Sequence, residues 1–467
     1  MHIIFLNPQG NFDSLNSHMI AHPDFGGQLI YVRELAHAMA ELGHKVDIIT
    51  RRITEKKWSE FSEQIDYYDS FRDRLRIIRI ECGGLDFLPK EKLWPHLEEF
   101  TDNIIKFYKD DLPDFATAHY ADGGFCAALL QDKTGINFSF TGHSLGAQKL
   151  DKLQMTLKNA DKLNKKFKFT QRINAERLSI ERSFKTVTST KQERDTQYFH
   201  PLYKDTVKKK KFRVIPPGVN PRVFYPPDKN TEAQLPVAKL REHDKPAIIL
   251  ASRMDEKKNM IGVVRVYAQN KELHKKTNLV IFQREIEDPF KDGDKLAKSE
   301  RKILKQILKT LTDAGLEKQV FFMNLDNQVE IAKVYRYLAT KGSVFILASF
   351  YEPFGLGPIE AAACGLACVA TKNGGPTEVF ADGSGILVDP FSDNEIKEGL
   401  IKALNNFKYF SKKSQKNVHK NYLWNNTAEQ YLKIVEAGLK KANTKNQSKI
   451  SLSDTTVLTK YLKSKNQ

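Results

Sequence analysis

Short apolar runs alternate with segments of helical periodicity along this chain, and they do so in two separate series. The first takes in residues 3–6, 28–42, 46–50, 75–80, 93–108, 116–118 and 138–141; the second has apolar runs at 247–251, 279–282, 320–323, 344–347, 368–370 and 386–388. Such alternation calls for βαβ units, hence a parallel sheet with helices on both faces. Between the series lie Ile215-Pro216-Pro217-Gly218-Val219-Asn220-Pro221, then Pro226-Pro227, then a polar stretch to Pro236. Proline-rich, polar sequence between two patterned halves reads as an inter-domain hinge. The expected architecture is therefore α/β, with two Rossmann-like doubly wound domains facing a cleft. Residues 1–220 form the first domain, 221–236 the linker and 237–425 the second domain. A helix over about 426–441 is expected to pack back on the first domain, and residues 443–467, rich in Lys, Ser, Asn and Thr, form a poorly ordered basic tail.

The 467 residues suffice for two domains with sizeable cores. A net charge of +17 invites a nucleic-acid reading, but residues 408–467 hold 13 Lys against three acidic residues, and residues 208–211 are four further lysines. Runs of this kind form solvated faces, and the remainder is nearly balanced. No nucleic acid is expected as a partner, although anionic small molecules gain from the field. No apolar run approaches the roughly 20 residues that span a bilayer, so no membrane association is expected. The start, Met1-His2-Ile3-Ile4-Phe5-Leu6, reads as a buried strand without the basic flank of a signal peptide. Cys82, Cys126, Cys364 and Cys368 show no zinc-like pairing and read as core residues of a cytoplasmic protein. No metal-ligand cluster stands out, and Asp292-Gly293-Asp294 reads as surface.

Chemistry concentrates where apolar runs end. Glu352-Pro353-Phe354-Gly355-Leu356-Gly357-Pro358-Ile359-Glu360 follows the run 344–347. A strand opening through a glycine turn into a helix brings backbone amides and side chains to the mouth of an open sheet. Acidic residues also favour any helix N-terminus. The companion segment decides between the two readings: Ser252-Arg253-Met254-Asp255-Glu256-Lys257-Lys258-Asn259 follows the run 247–251 and supplies Arg253 and Lys258 as a seat for a diphosphate. In the first half, Gly26-Gly27-Gln28 opens a helix and permits close approach of a ligand. Lys90, His119-Tyr120, His143-Ser144, Lys149, Arg172 and Arg177 recur at turns and on one helix, and as a set could hold a phosphate monoester. Gly142-His143-Ser144-Leu145-Gly146 also fits the G-x-S-x-G nucleophile elbow, a rival reading with Ser144 as a hydrolase nucleophile. That reading leaves Arg253, Lys258, Glu352 and Glu360 without a task.

Taken with Phe5-Leu6-Asn7-Pro8-Gln9-Gly10-Asn11-Phe12, His22-Pro23-Asp24-Phe25, Phe87-Leu88-Pro89-Lys90, Ala175-Glu176-Arg177 and Ile215-Pro216-Pro217-Gly218-Val219, these segments resemble the retaining, two-Rossmann-domain (GT-B) glycosyltransferases. Within that family they are most similar to the sucrose-phosphate synthases of the short bacterial type, over nearly all of residues 2–440. The resemblance implies a nucleoside diphosphate glucose donor, UDP-glucose in the first instance, fructose 6-phosphate as acceptor and sucrose 6-phosphate as product. Sucrose synthase and mannosylfructose-phosphate synthase are the related alternatives. It implies that Arg253 and Lys258 hold the diphosphate, with Arg284 also on the donor; Glu352 binds glucose hydroxyls and Glu360 the ribose. Phe354, Gly355 and Leu356 supply amides. Gly26 and Gly27 line the acceptor side near the diphosphate and Gln28 meets the fructose. Lys90, Lys149 and Arg172 grip the acceptor phosphate beside Tyr120 and Ser144, and His143 sits at the reacting centre. No cofactor and no metal are implied, and a separate phosphatase is expected to act on the product. Relatives usually carry Gly after the arginine at 284, where this chain has Glu285, and more basic residues at Thr170 and Gln171.

Overall fold

Strand β1 (His2–Leu6) is buried at every position, as a strand covered on both faces must be. Its side chains alternate: Ile3 and Phe5 enter one apolar cluster, Ile4 and Leu6 another on the opposite face. Parallel to it lie β2 (Lys45–Arg51) on one side and, further along the chain, the central strands that complete an eight-stranded sheet. In chain order these are β3 (Ile65–Tyr67), β4 (Leu75–Ile80), β5 (Phe115–His119), β6 (Asn137–Thr141), β7 (Lys185–Thr188) and β8 (Phe212–Val214). The order across the sheet is β3-β4-β2-β1-β5-β6-β7-β8, and only the edge strand β3 runs antiparallel. The second sheet contains β9 (Ala247–Leu250), β10 (Asn278–Gln283), β11 (Val320–Asn324), β12 (Val344–Leu347), β13 (Ala367–Thr371) and β14 (Ile386–Val388), all parallel, in the order β11-β10-β9-β12-β13-β14. Both follow the doubly wound order, which reverses beside the first strand of the sheet and opens a crevice outside the carboxyl ends there. Two Rossmann-like α/β domains are thus present.

This computed structural model describes residues 1–15, 27–229, 231, 245–283, 286–325, 327–441 and 451–465. It divides into Met1–Pro216 with Trp424–Gln467, and Pro217–Leu423. The proline-rich segment is less of a linker than its composition implies. Val219 bridges to Leu423 and its N–H donates to Tyr422 O at 2.8 Å, while Val219 and Phe224 are buried in the second unit's core. The division therefore falls at 216/217 and 423/424 rather than at 220 and 425. Helix Trp424–Leu439 belongs to the first unit, where Tyr431 Oη meets Tyr31 Oη at 2.9 Å and Thr141 Oγ1 at 2.8 Å.

The tail needs correction. Residues 451–465, assigned by composition to a poorly ordered segment, contain a helix, Thr456–Ser464, whose Leu458 and Leu462 are buried in the first unit's core. Two leucines four apart share a helix face, and that pair outweighs the polar residues around it. All four cysteines are buried thiols. Among the described residues no helix is long and apolar enough to cross a membrane.

Candidate functional site

In the first unit the carboxyl ends of β5 and β6 carry the chemistry. β5 ends on His119, and Tyr120 follows with φ 62°; two residues after β6, His143 has φ 54°. Both lie in the left-handed region, where a non-glycine backbone costs about 1–3 kcal/mol and persists only if its surroundings enforce it. His143 Nε2 meets His119 Nδ1 at 2.8 Å, and His119 Nε2 meets Thr117 Oγ1 at 3.1 Å. Rings close in: Tyr31 stands edge-on to His143 at 5.0 Å between centroids, and Phe5 stacks on His119 at 5.6 Å. Desolvation among these rings disfavours the imidazolium, pulling the His143 pKa down to about 3 and that of His119 well below its ordinary value. His143 is a neutral imidazole at physiological pH.

One pocket gathers Lys90, Tyr120, Ser144, Lys149 and Arg172, five residues that the sequence places on four separate segments. Its wall also includes Gln9, Trp94, Asp122 and Phe167. Arg172 Nη2 donates to Ser144 O at 2.7 Å and its Nε to Glu176 Oε1 at 3.0 Å. Glu176 in turn accepts the Gly146 N–H at 2.9 and 3.0 Å and the Tyr203 hydroxyl, so one buried carboxylate ties the Arg172 helix to the turn after β6. Burial works against the Arg172 charge, but Glu176 outweighs it and holds the guanidinium above its ordinary pKa. Lys149 lies 4.0 Å over the Phe167 ring. Its pKa is lowered, first by burial and then by the charges of Arg172 and Lys90. Cations that crowd one another in a half-buried pocket are relieved by an anion.

Ser144 has a cation, not a base, beside it. Its Oγ lies 3.3 Å from Arg172 Nη2, while His143 turns to His119. A serine nucleophile needs a general base within hydrogen-bond reach, so the nucleophile-elbow reading is set aside. Arg177 also leaves the set: it forms a bidentate pair with Asp205, both bonds 2.6 Å, and donates to Leu202 O. Gln28 is buried, and its Nε2 has no hydrogen-bond partner among the described residues. Gly27 opens the helix Gly27–Glu41. Gly26 lies outside the described residues, as do residues 22–25 of the same motif, and Arg284 with Glu285.

In the second unit the turns after β9 and β12 meet. Lys258 Nζ donates to Glu352 Oε2 at 2.6 Å, and Phe350 N–H donates to Lys257 O at 2.9 Å. Asp255 caps the short turn 256–258 by accepting the Lys257 N–H, and Asn259 takes φ 51° before the helix Met260–Gln269. Arg253 is exposed on the same turn. Glu352 is held by its backbone: its N–H donates to Asn373 O at 3.0 Å and its carbonyl accepts the Gly375 N–H at 2.8 Å. Gly374, at φ 115°, is required there, because a Cβ would stand 2.0 Å from Glu352 O. Gly355, at φ 95°, precedes the helix Leu356–Ala363, which has no side-chain cap, so the first-turn amides are open to a ligand. Glu360 lies inside that helix and accepts from Gln328 Nε2 at 3.2 Å. Among the described residues no three His, Cys, Asp or Glu side chains form a metal-holding group.

Sequence reasoning missed Gln9, Trp94, Asp122 and Glu176 as members of the first cluster, and the Asn373-Gly374-Gly375 loop in the second. Burial raises the Asp122 pKa to about 6 against the opposing pull of neighbouring amides, Arg172 and Lys90. The signals were present in part: Glu176 lies four residues from Arg172, the spacing of a helical ion pair, and Gly-Gly-Pro follows β13 as a turn onto a helix.

Comparison with known proteins bears on both units. The family model described as Glycosyltransferase Family 4 matches residues 25–223, and that of Glycosyl transferases group 1 matches residues 232–421. A probable sucrose-phosphate synthase of Thermosipho melanesiensis is 43% identical over 440 residues, covering 93% of this chain and 96% of the relative. Sucrose-phosphate synthase 4 of Arabidopsis thaliana is 31% identical over 507 residues, and there this chain spans 48% of the relative's length. Among solved structures, a sucrose-phosphate synthase from Thermosynechococcus elongatus superposes with a TM-score of 0.68 at 23% identity, covering 94% of this chain and 99% of that one.

Proposed function

The chain belongs to the sucrose-phosphate synthase family of glycosyltransferases, and we propose that it transfers glucose, with retention, from UDP-glucose to fructose 6-phosphate to give sucrose 6-phosphate. The observation that carries the acceptor is the convergence of Lys90, Lys149 and Arg172 on one pocket with Tyr120 and Ser144. A phosphate dianion fits three cationic donors, and it relieves the repulsion that Arg172 and Lys90 exert on Lys149. The buried Nε2 of Gln28 supplies a donor for a fructose hydroxyl.

On the donor side, Arg253 and Lys258 are read as the charges that receive the departing diphosphate, work that a metal performs elsewhere. Glu352, gripped at both ends of its backbone and paired with Lys258, is aimed at glucose hydroxyls, and Glu360 at the ribose. The amides of Phe354, Gly355 and Leu356, at the entry of the helix Leu356–Ala363, are read as partners of sugar and phosphate oxygens. His143 has Nε2 engaged with His119, which leaves Nδ1 to meet a glucose hydroxyl as a neutral partner. Attack comes from the leaving-group face, and the departing phosphate takes the acceptor's proton. Positioning and charge stabilisation then provide most of the rate. The product keeps its phosphate, so a phosphatase is the class of enzyme that consumes it.

The test is a donor–acceptor matrix: UDP-, ADP- and GDP-linked sugars against fructose and fructose 6-phosphate, with product identified by mass. Sucrose 6-phosphate from UDP-glucose, at a rate indifferent to EDTA, is expected. Equal turnover of both acceptors would refute the phosphate pocket.

A further inference from the structure

The C-terminal segment 451–465 touches the two helices that carry Lys149 and Arg172. Asn174, buried two residues after Arg172, sends its Nδ2 to three carbonyls of the segment: Ser451 at 3.1 Å, Leu452 at 3.3 Å and Asp454 at 2.8 Å. On the other helix, Gly146–Lys152, Asp151 stands two residues after Lys149. Tyr461 Oη donates to Asp151 Oδ1 at 2.9 Å, Lys465 reaches the same oxygen, and His200 Nε2 lies 3.0 Å from Oδ2. Between these two attachments, Leu458 and Leu462 enter the apolar cluster that contains Leu150, Phe169 and Ile173, the neighbours of Lys149 and Arg172 in sequence. One short segment thus adds a second tie between two helices already joined at the Gly146 end through Glu176, and it acts at the other end of Gly146–Lys152, which is under two turns long and depends on such contacts.

We infer that residues 451–465 act as a positioning strap, fixing Lys149 relative to Arg172 and so setting the grip on the acceptor's phosphate. None of the strap's residues lines the pocket, so Tyr461 and Lys465 are positioning residues that work through Asp151 and its helix. This inference rests on the reading of the pocket as a sugar-phosphate site. It assigns the tail a selective effect: slack in the strap weakens the phosphate grip and spares the Arg253 and Lys258 seat, which lies in the other unit.

The experiment uses the full chain carrying Tyr461→Phe and Lys465→Ala together, with Tyr461→Phe alone and Lys465→Arg as conservative partners. We expect the double variant to raise the KM for fructose 6-phosphate about three- to thirty-fold, the range of couplings carried by packed networks, with kcat and the UDP-glucose KM changed less than about two-fold. Lys465→Arg keeps the wild-type KM. Amide exchange measured without substrate speeds up within residues 146–152 of the double variant. Unchanged exchange there overturns the inference whatever the activity, and so does faster exchange with an unaltered fructose 6-phosphate KM or with both KM values raised alike. A wild type that ignores fructose 6-phosphate sinks the substrate reading instead, while the exchange data still report on the strap.

Discussion

Lys258 and Glu352 are 94 positions apart in sequence and meet at 2.6 Å. Neither is deeply buried, so their pairing is adjustable, and an arriving diphosphate can draw Lys258 away from the carboxylate. On the proposed reading, Lys258→Ala removes a charge from the place where negative charge would develop. The expected loss in kcat is two to four powers of ten, about that of an oxyanion-type stabiliser, with the fructose 6-phosphate KM nearly unchanged. Steady-state kinetics in both substrates checks this, and a near-wild-type kcat would show the donor site misplaced. Gly374 makes a second test at this scale. Alanine there drives a methyl into Glu352 O and forces a side chain into φ 115°. Glu352 is displaced without being altered. A shift of about 1 Å at such a group costs on the order of a hundredfold, so Gly374→Ala should approach the effect of removing Glu352 itself. Wild-type turnover in that variant would mean that Glu352 needs no fixed position.

At the scale of elements, the strands that the sequence announces are those with continuous or interrupted apolar runs: β1, β2, β4 to β6 and all six of the second sheet. β3, β7 and β8 escape it. β7 reads Lys-Thr-Val-Thr and β8 reads Phe-Arg-Val directly after four lysines. An edge or near-edge strand has only one neighbour or one covered face to satisfy, and its residues carry less pattern. The site was legible in the same uneven way. Lys90, Lys149 and Arg172 announce themselves as cations at element ends, whereas the grip of Gly374 on Glu352 is a contact between loops that no local spacing encodes. One buried network lies at the opposite end of β2 from the site. Asp47 accepts from His2 at 2.7 Å, from Arg76 twice at 2.7 Å and from Tyr108 at 2.7 Å. Burial alone would raise the Asp47 pKa, but these donors more than offset it and bring the value to about 2. The folded value lies below the ordinary one, so the contribution is complete above about pH 4 and is lost as pH falls towards 2, amounting to about 2 kcal/mol. Thermal melts from pH 7 to pH 2.5 should show a steeper acid decline in the wild type than in Asp47→Asn, which starts lower at neutral pH. Parallel declines would dismiss the network.

For the whole molecule, the decisive fact is that, among the described residues, each unit holds a charged cluster of its own at the carboxyl ends of its own sheet. In the first unit the cluster hangs on β5, β6 and the Phe169–Arg182 helix; in the second, on the turns after β9 and β12, with the Asn373–Gly375 loop behind them. Among the described residues, the cations read as the acceptor's phosphate grip lie in the first unit, and Arg253, Lys258, Glu352 and Glu360 lie in the second, so the two grips can be read separately even though the reaction needs both. Hydrogen exchange can read them one at a time. UDP alone should slow exchange of amides in 252–259 and 352–360, the latter including the open first-turn amides, and leave 142–149 at the free rate. Fructose 6-phosphate alone should do the reverse, slowing 142–149 and 169–176 and leaving the second set untouched. Ligand that populates only its own state protects by RT ln(1 + [L]/Kd), so at about a hundred times Kd the protected amides slow by about a hundredfold, well outside error. Protection of both sets by either ligand alone would mean that donor and acceptor are not divided between the units in this way, and the assignment of Lys90, Lys149 and Arg172 to the acceptor's phosphate would fall with it.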